Sequence, residues 1–149
     1  MRVLVQRSKH SSVSIEEKLV GEIDFGLVLL VGFTAGDNEE VLEKMLDKVL
    51  KLRIFDDDAG VMNKSILDVE GRILSISQFT LYANTLKGNR PSYIRALNGR
   101  EASVLYEKWV QLLRKRISTE TGVFGSDMQV NILNDGPITI MLEIENKMS

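Results

Sequence analysis

No cysteine occurs among the 149 residues, and histidine occurs once, at position 10. The first absence excludes a disulfide framework, thiolate metal sites and a cysteine nucleophile, and the second excludes a histidine cluster. No metal or cofactor is expected, and a reducing, cytoplasmic setting fits. Long apolar runs are missing too: nothing approaches the roughly 20 residues of a membrane span, and the opening MRVLVQRSKH lacks the apolar core of a signal peptide. A soluble, unexported protein with no membrane partner is therefore expected. Nor does one sign of charge dominate, since 19 Lys and Arg face 21 Asp and Glu for a net charge of −2. That balance gives no general pull toward DNA or RNA, so any RNA contact has to come from a local basic patch.

What is present is ordinary for a globular chain: 44% hydrophobic and 27% charged residues, at a length suited to one domain over residues 1–149. Arg2 to Arg7 alternates as a strand, and SSVSI with LVGEI reads as a hairpin. GLVLLVGF, Gly26 to Phe33, is a continuous apolar run suited to the centre of a sheet. Asp37 is placed to cap a helix whose apolar positions Val41, Leu42, Met45, Leu46, Val49 and Leu50 share one side. A strand is expected over Arg72 to Ser77, and an exposed loop over ANTLKGNRPS. A second amphipathic helix is expected over Asn98 to Ser118, opened by a capping box of Asn98 and Glu101, with Val104, Leu105, Trp109, Leu112 and Leu113 inward. MQVNIL and ITIMLEI read as two strands joined at NDGP. The order lacks regular β-helix-β alternation, so the expected class is α+β within the broad α/β group: a mixed or antiparallel sheet, curled toward a barrel, covered by two amphipathic helices.

Three groups carry little chemistry. His10, in the polar run SKHSS, has no carboxylate or second histidine beside it in sequence. Asp56, Asp57 and Asp58 lack the alternating ligand spacing and closing glutamate of a calcium loop. Arg114, Lys115 and Arg116 sit at a helix end, where cations suit the dipole in any case. The stretch SISQFTL, Ser75 to Leu81, is different: an apolar strand ends in hydroxyls and an amide. Its bland reading is a strand end with Phe79 in the core; the sharper one is a site built from hydroxyls and main-chain donors. Gly136 and Pro137 pose a similar choice between an ordinary turn and a bent peptide that aims carbonyl oxygens at a ligand.

SQFTLYA (Ser77 to Ala83), NDGPIT (Asn134 to Thr139), Gln6 with Arg7, KGNRPSY (Lys87 to Tyr93) and TGVFGSDM (Thr121 to Met128) together resemble the D-aminoacyl-tRNA deacylases, in the right order along the whole chain. Ser8, Ile138 and Tyr93 are small departures, and none removes a group the chemistry needs. The resemblance implies hydrolysis of the ester between a D-amino acid, or glycine, and the terminal adenosine of tRNA, by a homodimer without a cofactor. It implies that Ser77, Gln78, Phe79 and Thr80 line the pocket of one chain. Gly136 and Pro137, joined by a cis peptide and braced by Arg7, would enter it from the other. Phe124 and Met128 are expected near the adenine, and Lys87, Arg90, Arg95 and Arg100 near acceptor-end phosphates. The main-chain N–H groups of Gln78, Phe79 or Thr80 are expected to form an oxyanion site. A non-catalytic module that binds the tRNA acceptor end, and a dimer whose Gly-Pro loop is only a clasp, are the competing readings.

Overall fold

The structure, a computed structural model, describes residues 1–146. Five strands form the main sheet: β1 (Arg2–Ser8), β4 (Gly26–Gly32), β7 (Arg72–Ser77), β8 (Thr119–Thr121) and β10 (Asn134–Glu143), in the order β10-β1-β4-β7-β8. The uninterrupted apolar run of β4 does lie in the middle, where both faces of the sheet are covered. It pairs antiparallel with β1 and parallel with β7, and β8 continues the parallel half. A second sheet of β3 (Lys18–Ile23), β2 (Ser11–Ile15) and β9 (Gln129–Asn131) covers part of one face through Val13, Ile23, Val28, Leu74 and Ile76. A small ribbon of β5 (Phe55–Asp56) and β6 (Met62–Lys64) completes the strands. The arrangement is mixed, as expected, and not a closed barrel.

Two helices cover the opposite face. α1 (Glu39–Lys51) and α2 (Gly99–Arg114) each bury one apolar stripe against Val3, Val5, Leu27, Leu29, Val31 and Ile73. The six expected α1 positions are all buried. The cap differs from expectation: Asn38, not Asp37, accepts the Val41 N–H at 3.1 Å. Asp37 instead accepts from Thr34 N–H at 2.8 Å and from the Met1 ammonium at 2.9 Å, so its carboxylate closes the turn before the helix. In α2, Asn98 accepts from Glu101 N–H at 3.0 Å as the capping pattern indicated. Val104, expected inward, is 65% exposed, because Ala102, Tyr106, Trp109, Val110 and Leu113 form the buried stripe. The helix ends at Arg114 rather than Ser118, where Arg116 and Ile117 N–H groups turn back onto Leu113 C=O.

The C-terminal strand also departs from its sequence reading. Asn134 to Thr139 is the start of β10 itself rather than a turn between two strands. The ladder with β1 is irregular between the pairs Gln6↔Thr139 and Ser8↔Asn134. Proline is tolerated there because β10 is an edge strand and the irregularity removes the need for a ladder donor.

Candidate functional site

β4 and β7 are parallel and finish together, with Val31 opposite Ser77. Crevices beyond the carboxyl ends of parallel strands are natural ligand sites, because the chain leaves the sheet there in divergent directions. In this protein the crevice is a cavity of about 590 Å³. Its floor is Val31, Gly32, Ile76 and Ser77, and Leu97 and Ala102 close the α2 side. Phe124 and Met128 stand on the segment that returns from β8 to β9. Ser77, Gln78, Phe79, Phe124 and Met128 line this one space, whereas Thr80, expected with them, is not among the lining residues.

After Ser77 the chain makes a single 3₁₀ turn, Phe79–Tyr82, which the sequence reading did not distinguish from the strand end. The Gln78 N–H donates to Val31 C=O at 2.7 Å. That bond removes Gln78 from the three expected oxyanion donors. Phe79 and Thr80 are the first residues of the turn, whose leading N–H groups have no acceptor inside it; among the described residues neither has a protein acceptor. Gln78 Nε2 donates to Thr80 Oγ1 at 2.5 Å, which fixes the hydroxyl and leaves its proton free to donate. Phe79 is not a core residue: its ring is 56% exposed and meets Tyr93 edge-on at 5.1 Å. Among the described residues no group of three His, Cys, Asp or Glu side chains is arranged to hold a metal ion.

Gly136 and Pro137 lie elsewhere in the chain. Their peptide is cis, and both residues are exposed. Through β1 and β4 this point of β10 aligns with the start of β7, near Ile73, three strands away and on the far side from Ser77. With usual strand spacing and rise the separation is roughly 20 Å, so the two motifs do not share a site within one chain. Gly136 has φ +140°, and a Cβ there would sit 2.8 to 2.9 Å from Ile138 atoms. Only glycine takes that geometry without strain.

The segment is tied from behind. Arg7 is buried; its Nε donates to Asp135 C=O at 3.0 Å and its Nη1 to Ile54 C=O at 2.8 Å. The carboxylates of Asp135 and Asp56 each lie 3.6 Å from the guanidinium. Asn134 Oδ1 accepts from Ile138 N–H at 2.8 Å, and Asn134 Nδ2 donates to Thr139 Oγ1 at 2.9 Å. Neither Asn134 nor Asp135 was singled out from sequence beyond the motif that contains them.

The remaining candidates fall out simply. Lys87, Arg90 and Arg95 are exposed on the loop before α2 and Arg100 is exposed in its first turn; none of the four lines the cavity. Arg95 lies 5.7 Å over the Tyr82 ring and Arg2 4.6 Å over it. His10 is exposed and 3.0 Å from Glu22, a carboxylate the linear reading did not associate with it. Asp57 accepts from the Val61 and Ala59 N–H groups, which hold its carboxyl below the usual range as a turn cap.

An open cavity beside Ser77 with unspent main-chain donors, and an exposed cis peptide well away from it in the same chain, are the two features that set the site apart. The model of the D-Tyr-tRNA(Tyr) deacylase family matches residues 4–143, and the chain belongs to that family. It is 51% identical over 145 residues to the D-aminoacyl-tRNA deacylase of Lactobacillus delbrueckii subsp. bulgaricus, covering 97% of this chain and 100% of the relative. The D-aminoacyl-tRNA deacylase of Clostridium tetani is 49% identical over 144 residues, 96% and 97% of the two chains. Among solved structures, the c-Myc DNA unwinding element binding protein superposes with a TM-score of 0.93 at 38% identity, covering 98% of this chain and 100% of that one. A probable eukaryotic D-amino acid tRNA deacylase shares the fold at 18% identity, with a TM-score of 0.83 over 96% and 98% of the two chains.

Proposed function

We propose that the protein hydrolyses the ester that joins a D-amino acid to the 3′ end of tRNA, releasing the free D-amino acid and tRNA. The observation that carries this reading is the pair of unspent N–H groups of Phe79, which lines a cavity of about 590 Å³, and of Thr80, the next residue of the same turn. Water adds to the ester carbonyl, the carbonyl oxygen gains negative charge, and the two N–H groups stabilise it. The C–O bond to the ribose then breaks, and the ribose oxygen leaves with the proton given up by the water. An aminoacyl ester is activated already, so orientation and oxyanion stabilisation supply most of what the reaction needs. Thr80, with no base near it, orients the water rather than attacking. The ribose hydroxyl beside the ester assists in activating that water.

Two copies of the chain make each complete site. The roughly 20 Å between Gly136–Pro137 and Ser77–Thr80 inside one chain, and the exposed, braced state of the former, support a projection that enters a partner's cavity. Its carbonyl oxygens hold the substrate ammonium, so an L side chain would point into main chain and be refused while glycine and varied D side chains fit. Phe124 and Met128 flank the adenine. Lys87, Arg90, Arg95 and Arg100 meet phosphates of the acceptor end, and the protein works in the cytoplasm.

Release of amino acid from D- and L-charged tRNA tests the reading. Selective release from the D ester supports it; retention of charged tRNA without release would mean a binding module, and indifference to both a clasp. Complementation tests the sharing. Phe79→Pro deletes one donor and Gly136→Ala disturbs the projection. If the variants are inactive alone, their mixture regains about a quarter of wild-type activity, because half the dimers are mixed and each holds one intact site. No recovery from subunits shown to exchange would overturn the shared site.

A further inference from the structure

The donors at Phe79 and Thr80 are only as well placed as the end of β7, and that end is where the sheet splits. β8 pairs with β7 as far as Ser75↔Thr121 and no further. Beyond it the chain turns away through Gly122 to Phe124, and the gap between the diverging segments is the cavity itself. A strand that loses its neighbour on one side loses ladder hydrogen bonds there, and nothing in the sheet replaces them. From the other side of the core, α2 reaches the split. The Tyr106 hydroxyl donates to Ser75 C=O at 2.7 Å and lies 3.3 Å from Ser75 Oγ. The same Oγ accepts from Trp109 Nε1 at 3.3 Å. Tyr106 also touches the departing segment, its ring tilted against Phe124 with centroids 5.8 Å apart.

We infer that Tyr106 is a positioning residue for the deacylation reaction: its hydroxyl pins the last residue of β7 that pairs with β8 and its ring pins the Phe124 segment, fixing the width of the cavity. The inference rests on the proposed function for its catalytic consequence, and on geometry alone for its mechanical one. Tyr106 touches both lips of the split. Trp109, packed in the core, makes its hydrogen bond to the Ser75 side chain alone, and among the described residues no aromatic pair joins it to Phe124. The two residues share a helix, a core and an acceptor, yet differ in what their loss should do. Removing the Tyr106 hydroxyl frees a strand carbonyl two residues before the site, whereas removing the Trp109 N–H unties a side chain.

Tyr106→Phe and Trp109→Phe separate these roles. Tyr106→Phe is expected to lower kcat on D-aminoacyl-tRNA by about tenfold with KM within about twofold, since small misplacements of catalytic groups are costly. Trp109→Phe is expected to keep kcat within about twofold even where its melting temperature falls further. Amide exchange gives a readout independent of activity: in Tyr106→Phe the Gln78 N–H, bonded to Val31 C=O, exchanges about tenfold faster, and in Trp109→Phe it does not. Wild-type turnover in the same assay tells the two readings apart. An inert wild type sinks the proposed function and leaves the exchange result to decide the mechanical claim. An active wild type with unchanged kcat and exchange in Tyr106→Phe overturns the inference, as does an equal loss in Trp109→Phe. Should Tyr106→Phe not fold, Phe124→Leu removes the ring that Tyr106 holds, with the Tyr106 bond intact; faster exchange of the Ser126 N–H, bonded to Val123 C=O in that segment, by about tenfold supports the inference, and unchanged exchange overturns it.

Discussion

The two ends of the five-stranded sheet are built on opposite plans. At the carboxyl ends of β4 and β7 the sheet opens into a cavity and main-chain donors are left unspent among the described residues. At the β1–β10 edge the chain projects outward, and everything behind it is spent: Arg7 on two carbonyls, Asn134 on an N–H and a hydroxyl, Asp135 on Arg7. One end is unsatisfied and receptive, the other saturated and rigid. A surface meant to be entered keeps hydrogen-bonding capacity free, and a surface meant to enter spends its own, because unspent donors in a projection would bind water and soften it. The proposed function joins these two surfaces, one from each of two copies of the chain.

The largest way to break that contrast is Phe79→Pro. Proline suits the first position of the turn, so the fold should survive with its melting temperature within a few degrees, while loss of one oxyanion donor lowers kcat by about 10²–10³. Phe79→Ala, which keeps the N–H, is the control. Next is Arg7→Ala at the saturated end, where stability and activity should fall together: denaturation is expected to show a loss of about 2–3 kcal/mol as buried carbonyls lose a charged donor. Arg7→Lys should recover only part, since one ammonium cannot span both acceptors in the guanidinium's fixed fork. If Arg7→Ala lost activity alone, the division between the ends would be wrong.

Smaller effects sharpen the picture. A Cβ at Gly122 would collide with the Met128 sulfur, so Gly122→Ala should drive Met128 into the cavity. A severalfold rise in KM with kcat held, read from initial rates, is the expected result. Burial pushes the Tyr106 hydroxyl up to about 12 from 10.0. The folded state therefore holds that proton more tightly than the unfolded one; the contribution is present below pH about 10 and fades as pH rises from there toward about 12. Tyr106→Phe should flatten the loss of melting temperature over that window. Smallest is Ser8→Ala. The Ser8 hydroxyl is buried without a partner among the described residues, so its removal should leave stability unchanged or raise it by up to about 1 kcal/mol.

How legible was this in the sequence? The helices, the central strand and the capping residue Asn98 follow from periodicity and turn chemistry that act over a few residues. Motif resemblance points to Ser77, Gln78, Phe79, Phe124 and Met128 of the lining, while Val31, Gly32, Leu97 and Ala102 come from the fold. What escaped was set by tertiary partners. Asp37 and Asn38 are both good caps, and the Met1 ammonium and the Thr34 N–H claim the first, leaving the helix to the second. Val104 and Ala102 differ by half a turn, and the direction from which the sheet meets α2 chooses the smaller. Gln78, Phe79 and Thr80 look equivalent as donors until β4 supplies Val31 C=O to the first of them. His10 gains Glu22 only because β2 and β3 pair. In each case the deciding atom comes from another element.

A hydrogen carried on backbone nitrogen is common to every residue except proline. If such hydrogens at positions 79 and 80 do the chemistry, then ordinary substitutions there change the decoration around the reaction and seldom its engine. An alanine scan would score Phe79 as dispensable. Evolution, for its part, would be free to vary the side chains while it guards the path of the chain.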